Sequence, residues 1–580
     1  NAGGILTANT SSVMLAAKGA ESVLTVLDLA HARRWSLEDP YLYRIRTTVL
    51  RDGNVIDQTI TRTGVRQLSF DANTGFALNG VSTKMKGVCV HDDAGVLGTA
   101  VPPEVWRQRL LALKKTGCNA IRLSHNPHAP ELYDLCDELG FLVMDEAFDE
   151  WEFPKRKWLV GWNVGEPGFE GDTDYFAEWS SRDAANMVRR DRNHPSVFAW
   201  SIGNEVDYPN DPYSLPILDQ ARINQPMLPG YLPDHPNANR LSAIARRLVK
   251  AVKEQDQTRP VTAALAGVVM SNETEYPGLL DIDGYNYTED RYAIDHLKYP
   301  QRIIYGSENG HALKAWHAVS ENNYIFGQFL WTGIDYLGES GPWPARGATS
   351  GLIDFTGAIK PRGYFRESLW LNTPVVHLGT ELASQPEHSS IDAWPIWNYE
   401  AGTPIRVLCY MNAAKARLLL NGSPIGGEKD ADKENGVVEW ELPFQPGRLE
   451  AVALDGNDHE LARTALLTAS APVTLQISAN TGVIPRAHGT GIVSLQLVDK
   501  EGVPVLTDDA DVSCRVEGPA RLLGVESGDN RDMSVATVTT RKTYHGRLVA
   551  YVQALGEAGS VRVIFSRKGL PDGKVELTAD

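Results

Sequence analysis

The sequence has no run of about 18 apolar residues, the length a membrane-crossing helix needs. It is short of positive charge. Its 56 Lys and Arg face 73 Asp and Glu, a net charge of −17, which denies a nucleic acid or an anionic membrane surface the basic footprint it requires. Cysteine is scarce as well. Cys89, Cys118, Cys136, Cys409 and Cys514 are odd in number and widely spaced, with no Cys-x-x-Cys pair, so neither a disulfide framework nor a zinc site is read from them. Cys89 and Cys118 lie in apolar runs and are expected to be buried thiols. No glycine-rich dinucleotide loop follows an early strand, and no signal peptide is visible in the opening NAGGILTANTSSVML.

What is present is an ordinary globular composition, 42% apolar and 22% charged, with 14 Trp and 20 Tyr. Those rings suit stacking on the C–H faces of sugars and equally suit the cores of β-sandwiches. A chain of 580 residues is too long for one core, and three or four domains are expected. Four segments are distinguished. Residues 1–68 read as a partial immunoglobulin-like β-sandwich, with β-like runs at ESVLTVLDLA, YRIRTTVLRDG and VIDQTITRTGVRQLSF. Residues 69–375 alternate short β-like runs with helical ones. Residues 376–470 and 471–580 return to strands split by Asn-Gly and Asp-Gly turns and read as two more sandwiches. Neither collects titratable groups, so both are expected to be structural or accessory.

The middle segment carries eight strand candidates: 84–90, 119–124, 141–147, 196–203, 260–265, 282–287, 302–308 and 325–331. PPEVWRQRLLALKKTG, HAPELYDLCDELG and LSAIARRLVKAVKEQ between them have apolar residues at helical spacing, the first with Pro at its start and Gly at its end. Eight strands alternating with helices over about 300 residues match a (β/α)8 TIM barrel. The fold class expected is therefore multidomain, a barrel flanked by immunoglobulin-like β-sandwiches.

Two strand ends carry carboxylates where a barrel places its active site. NHPSVFAWSIGNEVD (193–207) runs an apolar strand into Asn204-Glu205, and RIIYGSENGH (302–311) ends on Glu308. A partly desolvated carboxylic acid can serve as a general acid. A pair about 5–5.5 Å apart performs retaining glycoside hydrolysis with no metal or cofactor. Asp145, Glu146 and Asp149 also close a strand, so position alone leaves the choice of pair open, and a helix-capping carboxylate remains the bland alternative for each.

The sequence resembles glycoside hydrolase family 2, the family of β-galactosidases, β-glucuronidases and β-mannosidases. The matching stretches are WSLEDPYLY (35–43), FALNGVSTKMKGVCVHDDAG (76–95), GCNAIRLSHNPHAPELYDLCDELGFLVMDEAFDEW (117–151) and RDRNHPSVFAWSIGNE (190–205). GSE (306–308), FLWTGIDYLGE (329–339) and SGLIDFTGAIKPRGYF (350–365) follow in the same order. The resemblance implies Glu205 as acid/base and Glu308 as nucleophile, with Asn204 on the sugar 2-hydroxyl. It implies Arg122 beside Glu308, keeping it ionised, Tyr287 hydrogen-bonded to Glu308, and Trp331 as the floor on which the sugar ring stacks. His91, Asp92, His125 and Asn126 fall where sugar hydroxyl contacts are expected. One of Asp145 and Glu146 is expected to order the site from behind, and Asp335 to reach a sugar hydroxyl.

The substrate implied is an oligosaccharide or glycoside, cleaved from its end. The β-glucuronidases of the family carry an Asn-x-Lys element after the eighth strand, and 331–360 contains no Asn. Arg346 keeps a uronide reading open, because a guanidinium can hold a carboxylate. The two later sandwiches, the first opened by Trp394 and Trp397, resemble those of bacterial β-galactosidases. A β-galactosidase is the leading expectation, with a β-glucuronidase, a β-galacturonidase or a non-catalytic carbohydrate-binding relative as alternatives. The family's N-terminal jelly-roll domain has no counterpart in the sequence. The resemblance favours a periplasmic or secreted bacterial setting. A homo-oligomer stays open, as does the purpose of the Pro- and Asn-rich insertion at 208–240, which is long enough to cover the pocket or to meet a neighbouring subunit.

Overall fold

The computed structural model describes residues 4–155, 171–220, 230–385 and 390–580. The middle of the insertion, 221–229, lies outside them. At the centre is a closed parallel barrel. Its strands are β1 (Met85–Val90), β2 (Ala120–Leu123), β3 (Leu142–Glu146), β4 (Val197–Asn204), β5 (Val261–Leu265), β6 (Asp283–Asn286), β7 (Ile304–Asn309) and β8 (Ile325–Leu330). All eight correspond to strands expected from the sequence. Parallel strands covered on both faces must be apolar along their whole length, and nearly every residue of the eight is buried.

The helix Pro103–Lys115 shows how the sequence sets its own limits. Pro103 fits the first turn, where a missing N–H costs nothing, Glu104 favours the N-terminal end, and Lys114 and Lys115 favour the C-terminal one. Trp106, Leu110 and Leu113 on its buried face pack into the core around the barrel. Helix Pro130–Leu139 shares the Pro start and an acidic first turn, with Glu131, and helix Arg240–Lys253 shares the basic last turn, with Lys250 and Lys253.

One end of the barrel is plugged. The hairpin Leu68–Asp71 with Gly75–Leu78 sends Phe70 and Phe76 against Phe198 and Phe326, with Phe70 centred 5.5 Å from Phe326. Met85, Cys89, Met144, Tyr305 and Phe329 continue this apolar packing inside the barrel. The site is therefore confined to the other end, where the strands finish.

The flanking segments are β-structured. The hairpin Tyr43–Arg51 with Asn54–Thr63 precedes the barrel. The run ESVLTVLDLA, expected as a strand, forms none: Leu24 and Val26 are exposed. Alternation alone does not make a strand, because a strand needs a partner to take its backbone hydrogen bonds. After the barrel, a 3-stranded and a 4-stranded sheet enclose one apolar core, and a 4-stranded and a 5-stranded sheet enclose the next. The turn at Asn421-Gly422 has φ of 52° and 82°, the paired positive angles that an Asn-Gly hairpin turn requires. All five cysteines are free and buried.

Candidate active site

Glu205 follows directly on β4, and Glu308 lies near the end of β7. The residue before the Asn204-Glu205 pair must be Gly: a Cβ on Gly203 would come 2.8 Å from Nε1 of Trp151. Glu205 then adopts φ 47°, and Tyr287, just past β6, adopts φ 53°. A left-handed conformation is costly for a residue with a side chain, and such strain concentrates at functional sites.

Arg122 on β2 organises the centre and is fully buried. Its Nη1 donates to Glu308 Oε1 at 2.8 Å and to the Ser307 carbonyl at 3.2 Å. Nε and Nη2 donate to Glu146 at 2.9–3.1 Å, and Nη2 also reaches Asn204 Oδ1 at 2.8 Å. Glu146, held further by Ser201 Oγ at 2.7 Å and by His125 Nδ1 at 2.7 Å, stays below the usual carboxylate range, because Arg122 and His125 outweigh its burial. Burial disfavours charge on His125, yet the bond to Glu146 raises its pKa. Asp145 points elsewhere and accepts from Tyr133 Oη at 2.7 Å.

The two candidate carboxyls have different partners. Burial pushes Glu308 up to about 7; Arg122 opposes this and the charge of Glu205 adds to it. Arg122 favours the ionised form of Glu308, but desolvation is the larger effect. Burial, with the charge of Glu308 beside it, pushes the Tyr287 phenol well above its usual pKa. Glu205 Oε1 instead accepts from Asn286 Nδ2 at 3.0 Å, and Asn286 Oδ1 accepts in turn from Ser307 Oγ at 2.6 Å. Asn204 Nδ2 donates to Asp149 Oδ1 at 3.0 Å and lies 3.2 Å from His125 Nε2.

Rings line one side. The Trp331 and His125 planes lie within 5° of parallel at 5.3 Å, and His91 meets Trp331 edge-on at 5.3 Å while stacking on Tyr336 at 3.9 Å. Burial holds His91 well below its usual pKa and so neutral. His91 Nε2 and Asp92 Oδ1 are buried without a hydrogen-bond partner among the described residues. Unsatisfied buried polar atoms of this kind call for a ligand or water.

Three residues named from the sequence have other partners. Asp335 is 2% exposed, and its carboxylate accepts from Lys360 Nζ at 2.9 and 3.1 Å and from Gly351 N at 2.9 Å. It is held in a buried ion pair. Asn126 is exposed and donates to the Pro127 carbonyl at 3.2 Å, outside the central network. Arg346 is taken by Glu526 at 2.6 Å. Conversely, Asn286, Lys155, Tyr336 and Glu339 belong to the site and were not singled out. Lys155 Nζ pairs with Asp149 at 2.7 Å, and Glu339 lies within electrostatic reach of His125, Asp149 and Glu205. Asn286 had a signal, since it ends a barrel strand as Glu308 nearly does.

Comparison with known proteins agrees with the fold. Residues 72–331 match "Glycosyl hydrolases family 2, TIM barrel domain", residues 2–66 match "Glycosyl hydrolases family 2", and residues 477–576 match "Glycoside hydrolase family 2 C-terminal domain 5". Residues 402–462 match a domain of unknown function. The chain is 32% identical to the β-galactosidase BoGH2A of Bacteroides ovatus, over 99% of its own length and 70% of that protein. It is 26% identical to a β-glucuronidase of Bacteroides fragilis, over 70% of its own length and 56% of that protein. A glycosyl hydrolase family 2 member from Bacteroides cellulosilyticus superposes with a TM-score of 0.84 at 30% identity, covering 96% of this chain and 70% of that one. A β-glycosidase from Bacteroides vulgatus gives 0.77 at 26% identity, over 95% and 71%. The chain belongs to glycoside hydrolase family 2 and is a glycoside hydrolase.

Proposed function

We propose that the protein removes terminal sugars from β-glycosides, β-D-galactosides foremost, by double displacement with retention. The observation that carries this is the placing of two carboxyl groups at the ends of β4 and β7, at the same mouth of the barrel, with a buried guanidinium on the second. Glu308 accepts from Arg122, and Glu205 accepts from the amide of Asn286.

In the first step a Glu308 oxygen attacks the anomeric carbon and the glycosidic bond breaks. Glu205 gives its proton to the departing oxygen, leaving a glycosyl ester on Glu308 and a carboxylate on Glu205. In the second step Glu205 takes a proton from water as that water attacks the anomeric carbon. The ester bond breaks, the sugar leaves, and both side chains are restored. Arg122 and Tyr287 hold the leaving carboxylate in the second step. Asn204, His91 and Asp92 offer polar atoms to the sugar hydroxyls, and Trp331 offers its ring.

A neutral sugar fits the charges around the pair. A uronic acid needs a cation to spare. Among the described residues Arg122 is divided between Glu146 and Glu308, Lys155 is paired with Asp149, and Arg346 with Glu526. Glu339 adds a further carboxyl group near the pair.

A panel of p-nitrophenyl glycosides against wild type, Glu308→Gln and Glu205→Gln tests the proposal. The β-galactoside is expected to be the best substrate, and NMR is expected to find the β-anomer of the product first. A preference for the β-glucuronide overturns the sugar assignment. Near-normal turnover by Glu308→Gln overturns the nucleophile, and binding without hydrolysis by wild type overturns the enzyme.

A further inference from the structure

Neither C-terminal sandwich offers a cluster of titratable groups in sequence, yet the last one reaches the pocket wall. Glu526, at the end of the strand Ala520–Glu526, has a side chain with no solvent exposure. Its Oε1 accepts from Arg346 Nη2 at 2.6 Å, and Oε2 accepts from Arg346 Nη1 at 3.1 Å and from the backbone N–H of Val96 at 3.1 Å. The N–H groups of Ser527 and Gly528 complete its shell at 2.9 and 3.1 Å. Asn530 adds two bonds to the same loop, accepting from Arg346 N at 3.0 Å through its carbonyl and from Gly347 N at 2.8 Å through its side chain.

These partners lie on the two barrel loops that carry the aromatic side of the site. Val96 is five residues after His91, in the loop that follows β1. Arg346 and Gly347 lie in the loop that follows β8, where Gly347–Ala348 pairs with Tyr336–Leu337. Asp93 ties the loops to each other, accepting from Gly95 N at 3.1 Å and from Leu337 N at 3.2 Å. An apolar contact seals the junction: Ala94 and Val105 of the barrel pack with Ile492, Val549 and Tyr551 of the sandwich. Arg109, also buried, holds the Asp93 and Phe355 carbonyls at 2.8 and 2.6 Å. The His91–Tyr336 stack therefore joins two loops that are both fastened from outside by one carboxylate.

We infer that Glu526 is a positioning residue for sugar binding: through Arg346 and Val96 it fixes the loops that bring His91, Asp92, Trp331 and Tyr336 together. The inference rests on the proposed glycosidase reading of that site. The recurrent cause of a weak site is a first shell left loose by its supports, and a bidentate Arg–carboxylate pair removed from water is a stiff support.

The test uses the full chain and the p-nitrophenyl glycoside that wild type cleaves best. Glu526→Gln, Arg346→Gln and the double variant are compared for kcat, KM and melting temperature. KM is expected to rise about tenfold in either single variant, with a smaller fall in kcat, and the double variant is expected to resemble the singles because they break one interaction. A pair that only holds domains together would lower the melting temperature and leave KM alone, and that result overturns the inference. Should the pair variants fail to fold, Asn530→Ala decides the matter. It leaves the buried pair intact and frees Gly347 N, so a raised KM supports the role and an unchanged KM overturns it. Absence of hydrolysis by wild type counts against the proposed function instead, whereas active wild type with unchanged KM in the variants counts only against Glu526.

Discussion

Arg122 Nη1 lies 2.8 Å from Glu308 Oε1 while the rest of the same guanidinium is spread over both oxygens of Glu146. One buried cation thus serves two buried carboxylates. Removing it takes the paired cation from Glu308 and leaves Glu146 with His125 alone, and breaking a buried pair in this way costs about 3–5 kcal/mol. Arg122→Ala is expected to lose about that much stability in urea unfolding. Any enzyme that folds is expected to show a Glu308 that ionises at higher pH than in wild type. A variant as stable as wild type would mean that water replaces the guanidinium.

The Glu308 carboxyl also sets a pH limit. A nucleophile works as the carboxylate, and burial raises this group to about 7 despite Arg122. Its active form is therefore present above about 7 and is lost as pH falls through that value. The kcat/KM profile, which reports the free enzyme, is expected to fall about tenfold per pH unit on the acid side of this point. A profile flat down to pH 5 would show that Arg122, rather than desolvation, controls the ionisation.

The barrel was legible because burial on both faces leaves a strand almost nothing but apolar residues, and the helices because Pro, basic residues and Gly mark their ends. ESVLTVLDLA misled because its alternation had no neighbouring strand to pair with. At the site, strand ends showed which carboxyls could act, and the family resemblance supplied their expected roles. What stayed hidden depends on closure. His91 meets Tyr336 only because β1 and β8 are adjacent in the closed barrel. Arg346 meets Glu526, 180 residues away, only because a sandwich folds back on the barrel. The ion pair of Asp335 was hidden for the same reason: its partner Lys360 lies 25 residues later.

That pair yields a further expectation. Asp335 sits at about 6, raised by burial against the pull of Lys360. Lys360→Met is expected to destabilise the fold by about 3 kcal/mol, since it strands a buried carboxylate. Asp335→Asn is expected to keep KM within about twofold of wild type, because no sugar contact is lost. A tenfold rise in KM at unchanged melting temperature would restore Asp335 as a sugar ligand.

At the plugged end, His194 just before β4 places Nδ1 2.7 Å from Asp137 Oδ2, and Asp137 Oδ1 accepts from Ser196 N at 3.0 Å. Burial disfavours the imidazolium, but the hydrogen bond and charge of Asp137 outweigh it, so the folded pKa lies above the ordinary value. A raised histidine stabilises the fold fully below its unfolded pKa of about 6.5, and this contribution is lost as pH rises through the folded pKa. His194→Asn is therefore expected to cost more at pH 5.5, about 1.5–3 kcal/mol for a hydrogen bond to a charged group, than at pH 9.5, where only a neutral bond remains to be lost. Urea unfolding of both proteins at the two pH values measures this, and comparison at each pH cancels the carboxyls they share. An equal cost at both would mean that His194 is neutral when folded and that Asp137 serves only to hold Ser196.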